Sequence, residues 1–397
     1  MAYFRLSPPQ SIQNETMGVN ATRMEYFITF LAICISGNPI ITNGTKWYGI
    51  ISLVIMIVLY LAYRRPLINL SISKWIAGFI FLFALQGIAL PSSSISAEIN
   101  FIAKLYAIFL MVTFVGGKFR KLYFNILYFI SAISLICLTL NHVGLNIGIQ
   151  FDKYRTVFIY NSFMHFETSH EFRNCGMFWE PGAFQGYIML AFLFYINDYK
   201  LLWSTQRNKC IILSLALLST FSTTGYIVFF LYIAYIVYSS QLNYYIKTLV
   251  TSLMLVCCVY SYYNFDFLGE KIEGQYENAM KLGTNEVSWS RMGAMKIDLQ
   301  QISRHPIVGN GFLMTSRYEK LGEKMAGSGN GFTGAINILG IPCIALYLIA
   351  LYKSLTFRKR HEKVFFVSVI IILLNGEFFL NYPLFWGLPF ISIPHND

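Results

Sequence analysis

Apolar runs dominate the chain, at Tyr26–Ile41, Trp47–Tyr63, Trp75–Leu90, Phe101–Val115, Leu122–Leu140, Phe184–Ile196, Tyr245–Tyr263, Thr333–Tyr352 and Val364–Leu380. A hydrocarbon core takes about 20 apolar residues per helix, fewer inside a bundle. Cys210–Tyr238 is a further apolar run, interrupted by the hydroxyl-rich stretch Ser219–Gly225. It reads as two spans that meet at the break, whose polar backbone has to be buried in protein or line a wet cavity. The C-terminal Asn381–Pro394, with Pro383, Pro389 and Pro394, is short for a span and reads as a twelfth helix or a re-entrant end. The pattern predicts an all-α, polytopic integral membrane helical bundle of about 11–12 transmembrane helices, one domain over residues 1–397.

Two long polar stretches, 141–178 and 264–331, interrupt this pattern and read as large loops on one side of the membrane. The second is expected to pack on the bundle and to contain helices at Glu270–Leu282 and Val287–Ser303, the latter ended by Pro306. Met292, Met295, Leu299 and Ile302 form an apolar stripe on it, expected to pack against the spans or the headgroups. Residues 1–23 are polar, and Tyr26–Ile41 reads as an uncleaved first span.

Composition agrees with lipid as the solvent: 56% of residues are hydrophobic and 12% charged. Charge then orients the bundle. Short linkers on one side carry fifteen Lys and Arg, from Arg64 to Lys363, whereas those on the other side offer Lys46 and Lys104. Cationic short loops stay cytoplasmic, so both long loops face outward. The net charge of +11 is thus mainly topology and attraction to anionic headgroups, and nucleic acid is not an expected partner. Six of the seven cysteines lie in apolar runs and Cys175 stands alone in an outer loop, so no disulfide framework or zinc spacing is present.

The chemistry-bearing residues concentrate at loop–helix junctions. Arg173, Gly176, Trp179, Glu180, Pro181 and Gly182 precede one span. Pro181 suits the first helical position, which leaves Glu180 at the positive helix end as a cap or as a reactive carboxylate. Arg291 and Arg304-His305-Pro306, followed by Gly309 and Gly311, form a cationic helix ending in a turn able to approach a ligand closely. Glu377, late in a span, is also notable, because intramembrane carboxylates are rare.

Together these segments resemble the superfamily of O-antigen polymerases (Wzy type) and O-antigen ligases. The resemblance rests on R-x-x-G-x-F-x-E-P at Arg173–Pro181, the hydroxyl-rich break with Thr224 and Gly225, the segment Arg291–Gly311, and Asn330-Gly331-Phe332 followed by Gly340. It covers about Phe172–Ile341. Ligases of this superfamily usually carry a His just before that Asn, and often an Arg in the break. Here those places hold Gly329 and Thr223-Thr224, which favours polymerase over ligase.

The resemblance implies a metal-independent, cofactor-free, inverting glycosyl transfer on the periplasmic face of the bacterial inner membrane. The growing glycan would move from undecaprenyl diphosphate to a terminal sugar hydroxyl of another lipid-linked repeat unit. Lipid-linked donor and acceptor and membrane lipids are the implied partners, with a chain-length regulator protein as a further candidate. Arg173, Arg291, Arg304, Asn330 and Thr224 are expected to bind substrate, since a departing diphosphate needs cations and the arginine fork suits it. Glu180 and His305 lead the candidates for the base, followed by Asp152, Glu167, His165 and His170. A ligase acting on lipid A core and a lipid-linked glycan flippase or transporter are the alternatives. The latter would require charges along the spans, where only Glu377 comes close.

Overall fold

The computed structural model describes residues 22–44, 47–67, 69–90, 94–144, 148–152, 155–158, 164–166, 173–264, 266–281, 290–319, 328–357 and 359–391. Helices dominate. The first half contains α1 (Arg23–Cys34), α2 (Pro39–Gly44), α3 (Tyr48–Ala62), α4 (Leu70–Ala89), α5 (Ile95–Val115) and α6 (Phe119–His142). After the first long loop come α7 (Pro181–Leu193), α8 (Tyr199–Thr205), α9 (Arg207–Leu218), α10 (Thr223–Ser239) and α11 (Tyr244–Asn264). The remainder comprises α12 (Asp266–Lys281), α13 (Arg291–Ile302), α14 (Met314–Tyr318), α15 (Gly331–Leu339), α16 (Ile341–Ser354), α17 (Arg360–Gly376) and α18 (Pro383–Ile391).

One departure from an all-α chain lies in the first long loop. Strands β1 (Gly148–Asp152), β2 (Arg155–Phe158) and β3 (Met164–Phe166) form an antiparallel sheet in the order β1-β2-β3, with Ile149 opposite Val157 and Thr156 opposite His165. Asp152 and His165 therefore belong to this sheet, while Glu167 and His170 lie outside the described residues.

At the centre of the bundle stands α7. All thirteen of its residues are buried, including Gln185 and Tyr187. Its sequence is apolar all round rather than striped, which is the signature of a helix enclosed by others. α6, α9, α10 and α17 pack around it. The Tyr187 ring stacks on Phe178 at 4.3 Å and meets Phe379 and Phe385 edge-on. The expected division of Cys210–Tyr238 is present: α9 ends at Leu218 and α10 starts at Thr223. Thr220, Ser222 and Thr223 of the break are buried, and the Ser222 hydroxyl caps α10 by accepting from Gly225 N–H.

The exterior is apolar. On α3, Val54, Val58 and Leu61 are exposed; on α6, Phe129, Ile133 and Ile136; on α11, Leu249, Leu253 and Val256. Each set follows i, i+4, i+7, the stripe that a helix in water would turn inward. Among the described residues two stretches are long and apolar enough to cross a membrane, Ile72–Ala89 and Ile95–His142. The second runs through α5, a 3-10 turn at Gly116–Lys118, and α6. α15 and α16 would together make a third, bent by 118° at their junction. The shorter apolar helices α3, α7 and α10 fall below full span length. α18 has nine residues, roughly 14 Å at the α-helical rise, too short to cross. Residues 383–390 are buried against α5 and α16, and residues 392–394 of the expected C-terminal stretch lie outside the described residues.

α12 and α13 occupy the two expected helical stretches of the second long loop; residues 287–289 lie outside the described residues. Three of the four residues in the apolar stripe of α13 lie on the outside, and Ile302 is buried. Met292, Met295 and Leu299 are exposed, and the buried face is Gly293, Ala294, Ile297, Asp298, Gln301 and Ile302. That face meets α15, where small residues permit close approach. Asp298, fully buried, accepts from Tyr318 Oη at 2.7 Å, Ser328 Oγ at 2.6 Å, Thr333 Oγ1 at 2.7 Å and Asn337 Nδ2 at 3.1 Å. A buried carboxylate with four donors is well satisfied, and here it ties α13, α14, α15 and the segment before α15 together.

Candidate active site

Arg173, Glu180, Arg291 and Glu377 come together where α7 begins, α13 begins and α17 ends. Ser290 caps α13 through Gly293 N–H at 3.1 Å, which places Arg291 at the first helical position. Its Nη2 pairs with Glu377 Oε1, on the residue just beyond α17. The Glu377 side chain is 7% exposed and that of Arg291 24%. Glu180 precedes α7 but makes no side-chain cap on it. Its carboxyl lies beside that of Glu377 instead. Two carboxyls this close repel each other when both are charged, and the Arg291 cation offsets that repulsion.

Close backbone approach makes this corner possible. A Cβ at Gly182, in the first turn of α7, would overlap Glu377 Oε1, and a Cβ at Gly331 would overlap the Glu377 carbonyl. Glycine therefore lets the Glu377 carboxyl rest on α7 while its main chain rests on the start of α15. Thr224 of α10 lies against Gly376, one residue before Glu377.

Arg173 grips the α9–α10 break. Its Nε and Nη2 donate to the carbonyls of Thr220 and Phe221 at 3.0 and 2.9 Å, and Phe221 has φ 46°. Asn174 adds a backbone bond to the Ser219 carbonyl at 3.0 Å and side-chain bonds to Ser134 and Ser219. Burial lowers the Arg173 guanidinium from its ordinary value, Glu180 and Glu377 raise it, and Arg291 lowers it. All four groups thus lie within electrostatic range of one another, and Arg173 remains cationic at neutral pH.

The other expected site residues divide. Asn330 caps α15, accepting from Phe332 and Thr333 N–H at 3.1 Å each, and its Nδ2 donates to Asn375 Oδ1 at 3.2 Å. It borders the cluster as a brace between α15 and α17. Arg304 and His305 stand beyond the far end of α13, whose twelve residues span roughly 18 Å at about 1.5 Å per residue. Arg304 pairs with the exposed Glu319 at 2.6 Å, and the His305 carbonyl accepts from Gly309 N–H at 2.8 Å. Neither belongs to the carboxylate–arginine cluster.

Gln185 was not signalled as a site residue. It sits one turn below the start of α7, fully buried against Gly225, and neither amide atom has a hydrogen-bond partner among the described residues. The Thr223 hydroxyl at the start of α10 is likewise unpartnered. A glutamine in an otherwise apolar buried helix was the available signal. Neither a family model nor a curated protein matches this sequence.

Proposed function

We propose that this protein is a membrane-embedded glycan polymerase of the O-antigen type. It would act on the periplasmic side of a bacterial inner membrane and extend a lipid-diphosphate-linked glycan. The observation that carries this reading is the convergence of Arg173, Glu180 and Arg291, from separate parts of the chain, on Glu377. Apolar helix exteriors and the cationic bias of the short linkers support the location.

In this mechanism the acceptor hydroxyl oxygen attacks the anomeric carbon of the donor. The new C–O bond forms as the bond from that carbon to the diphosphate oxygen breaks, and the lipid diphosphate leaves with the electron pair. The hydroxyl proton passes to Glu180. A guanidinium has five N–H donors, so Arg291 can hold Glu377 through Nη2 and still bind a second anion. Arg173 adds positive charge at a site already fixed by two carbonyls, so little reorganisation accompanies leaving-group departure. Gly329, in the place where ligases carry a His, favours polymerase over ligase.

The deciding experiment is the lipopolysaccharide profile of a host lacking this gene, complemented with wild type or with Arg291→Lys. Single-repeat caps that return to a ladder only with the wild type support the reading. An unchanged ladder in the deletion strain refutes it, and loss of all repeats indicates a ligase.

A further inference from the structure

Beside the candidate active site lies a cavity of about 330 Å³, walled by Trp47, Tyr48, Asn100, Lys104, Asn381 and Tyr382. It is built from the junctions before α3 and α18 together with the first half of α5. The Lys104 ammonium lies 4.5 Å from the Tyr48 ring centroid and donates to the Asn381 carbonyl at 3.3 Å. Among the described lining residues none is acidic. Tyr382 stacks on Trp179 at 4.4 Å, and Trp179 immediately precedes Glu180. A smaller cavity of about 110 Å³ shares Asn100, Lys104 and Asn381 and reaches Phe378, the residue after Glu377. Both the aromatic wall and the side cavity thus lead to the carboxylate pair.

We infer that this cavity is a sugar-binding subsite, holding the terminal residue of the acceptor glycan so that its hydroxyl meets Glu180. The inference rests on the polymerase reading for the word acceptor. Its chemistry rests on the walls alone. A sugar ring presents an apolar C–H face and a rim of hydroxyls, and it needs aromatic surface beside amide and hydroxyl partners. Trp47, Tyr48 and Tyr382 supply the aromatic surface; Asn100, Asn381 and the lining hydroxyls of Thr42 and Ser96 supply the polar groups. Lys104, with no carboxylate among the described lining residues, admits neutral sugars and sugars bearing a carboxylate, and disfavours cationic ones. The volume matches the lower end of small-ligand sites, about 300 Å³. The diphosphate end is served separately, by the arginines beyond Trp179 and Glu180.

The test is saturation-transfer NMR on the full-length protein in nanodiscs. Its probe is the lipid-free oligosaccharide repeat unit cut from the host's own surface polysaccharide. Magnetisation should reach the C–H protons of the ring at one end of the oligosaccharide, in wild type and in Arg291→Lys alike. Trp47→Ala and Lys104→Met should weaken binding by roughly tenfold or more. Trp47 is half exposed, so its replacement leaves the bundle core untouched. Equal binding by both cavity variants, or none by the wild type, overturns the subsite. Binding as expected together with an unchanged ladder in the deletion strain upholds the subsite and removes the polymerase reading alone.

Discussion

Arg291 and Glu377, 86 positions apart, are ion-paired where one helix begins and another has just ended. Glu377→Gln removes the negative partner and leaves the arginine half-enclosed. Breaking a buried pair from one side costs about 3–5 kcal/mol, and the exposed quarter of Arg291 reduces that to about 2–3 kcal/mol. A lowered melting temperature in detergent is expected. Arg291→Lys should melt closer to wild type, because the charge stays, while losing most turnover with the fork.

Glu180→Gln separates a cap from a base. Glu180 makes no cap on α7, so stability should change by less than about 1 kcal/mol. The amide can still donate to Glu377. Turnover of lipid-linked repeats in vitro should fall by about 10²–10⁴ if Glu180 accepts the proton. Retention of the wild-type rate would assign the base elsewhere.

Gln185→Leu tests the unpartnered amide. Replacing a buried polar group that lacks partners by an apolar one of similar size is neutral or stabilising, by up to about 1–3 kcal/mol. A melting temperature at or above wild type is therefore expected. A simultaneous loss of turnover would identify Gln185 as a group that meets substrate; full turnover would make it a packing residue.

Asp298→Ala should be the most damaging change in the second long loop. It strands the donors of Tyr318, Ser328, Thr333 and Asn337 in a buried place, at a cost of about 3–5 kcal/mol. Limited proteolysis should cut the loop of Asp298→Ala well before wild type. Asp298→Asn, which keeps acceptor capacity at one oxygen, should fall between the two.

Sidedness is checked by single cysteines. Met295→Cys, exposed on α13, should react with a membrane-impermeant maleimide once the outer membrane is opened. Lys363→Cys, near the start of α17, should react only after lysis. The reverse pattern would place the carboxylate–arginine cluster in the cytoplasm and end the periplasmic account.

What could be read from the chain follows the range of the signals. The α9–α10 break announces itself because Ser219, Thr220, Ser222 and Thr223 interrupt an apolar run over a few residues. The end of the second helix in the second loop is legible from Pro306, which is again local. The pairing of Arg291 with Glu377 has no local trace, since periodicity says nothing about which helix ends meet. Spacing shows the stripe on α13 but not the second, buried face beside it. Met292, Met295 and Leu299 face outward, and the side turned to α15 combines Gly293, Ala294 and Ile297 with Asp298, which binds its donors there. The sheet at residues 148–166 is hidden by its short strands, of three to five residues.

The glycine contacts at Glu377 have a bearing on divergence. A position on the outside of α3 or α11 asks only for some apolar side chain, so substitutions there are exchangeable and sequence identity can drift without changing the fold. At Gly182 and Gly331 a single added carbon collides with Glu377. Two chains built on this plan could therefore differ over nearly all their surface and still share a few glycines, two arginines and two carboxylates. Kinship among such proteins would be written in the spacing of that corner rather than in overall identity.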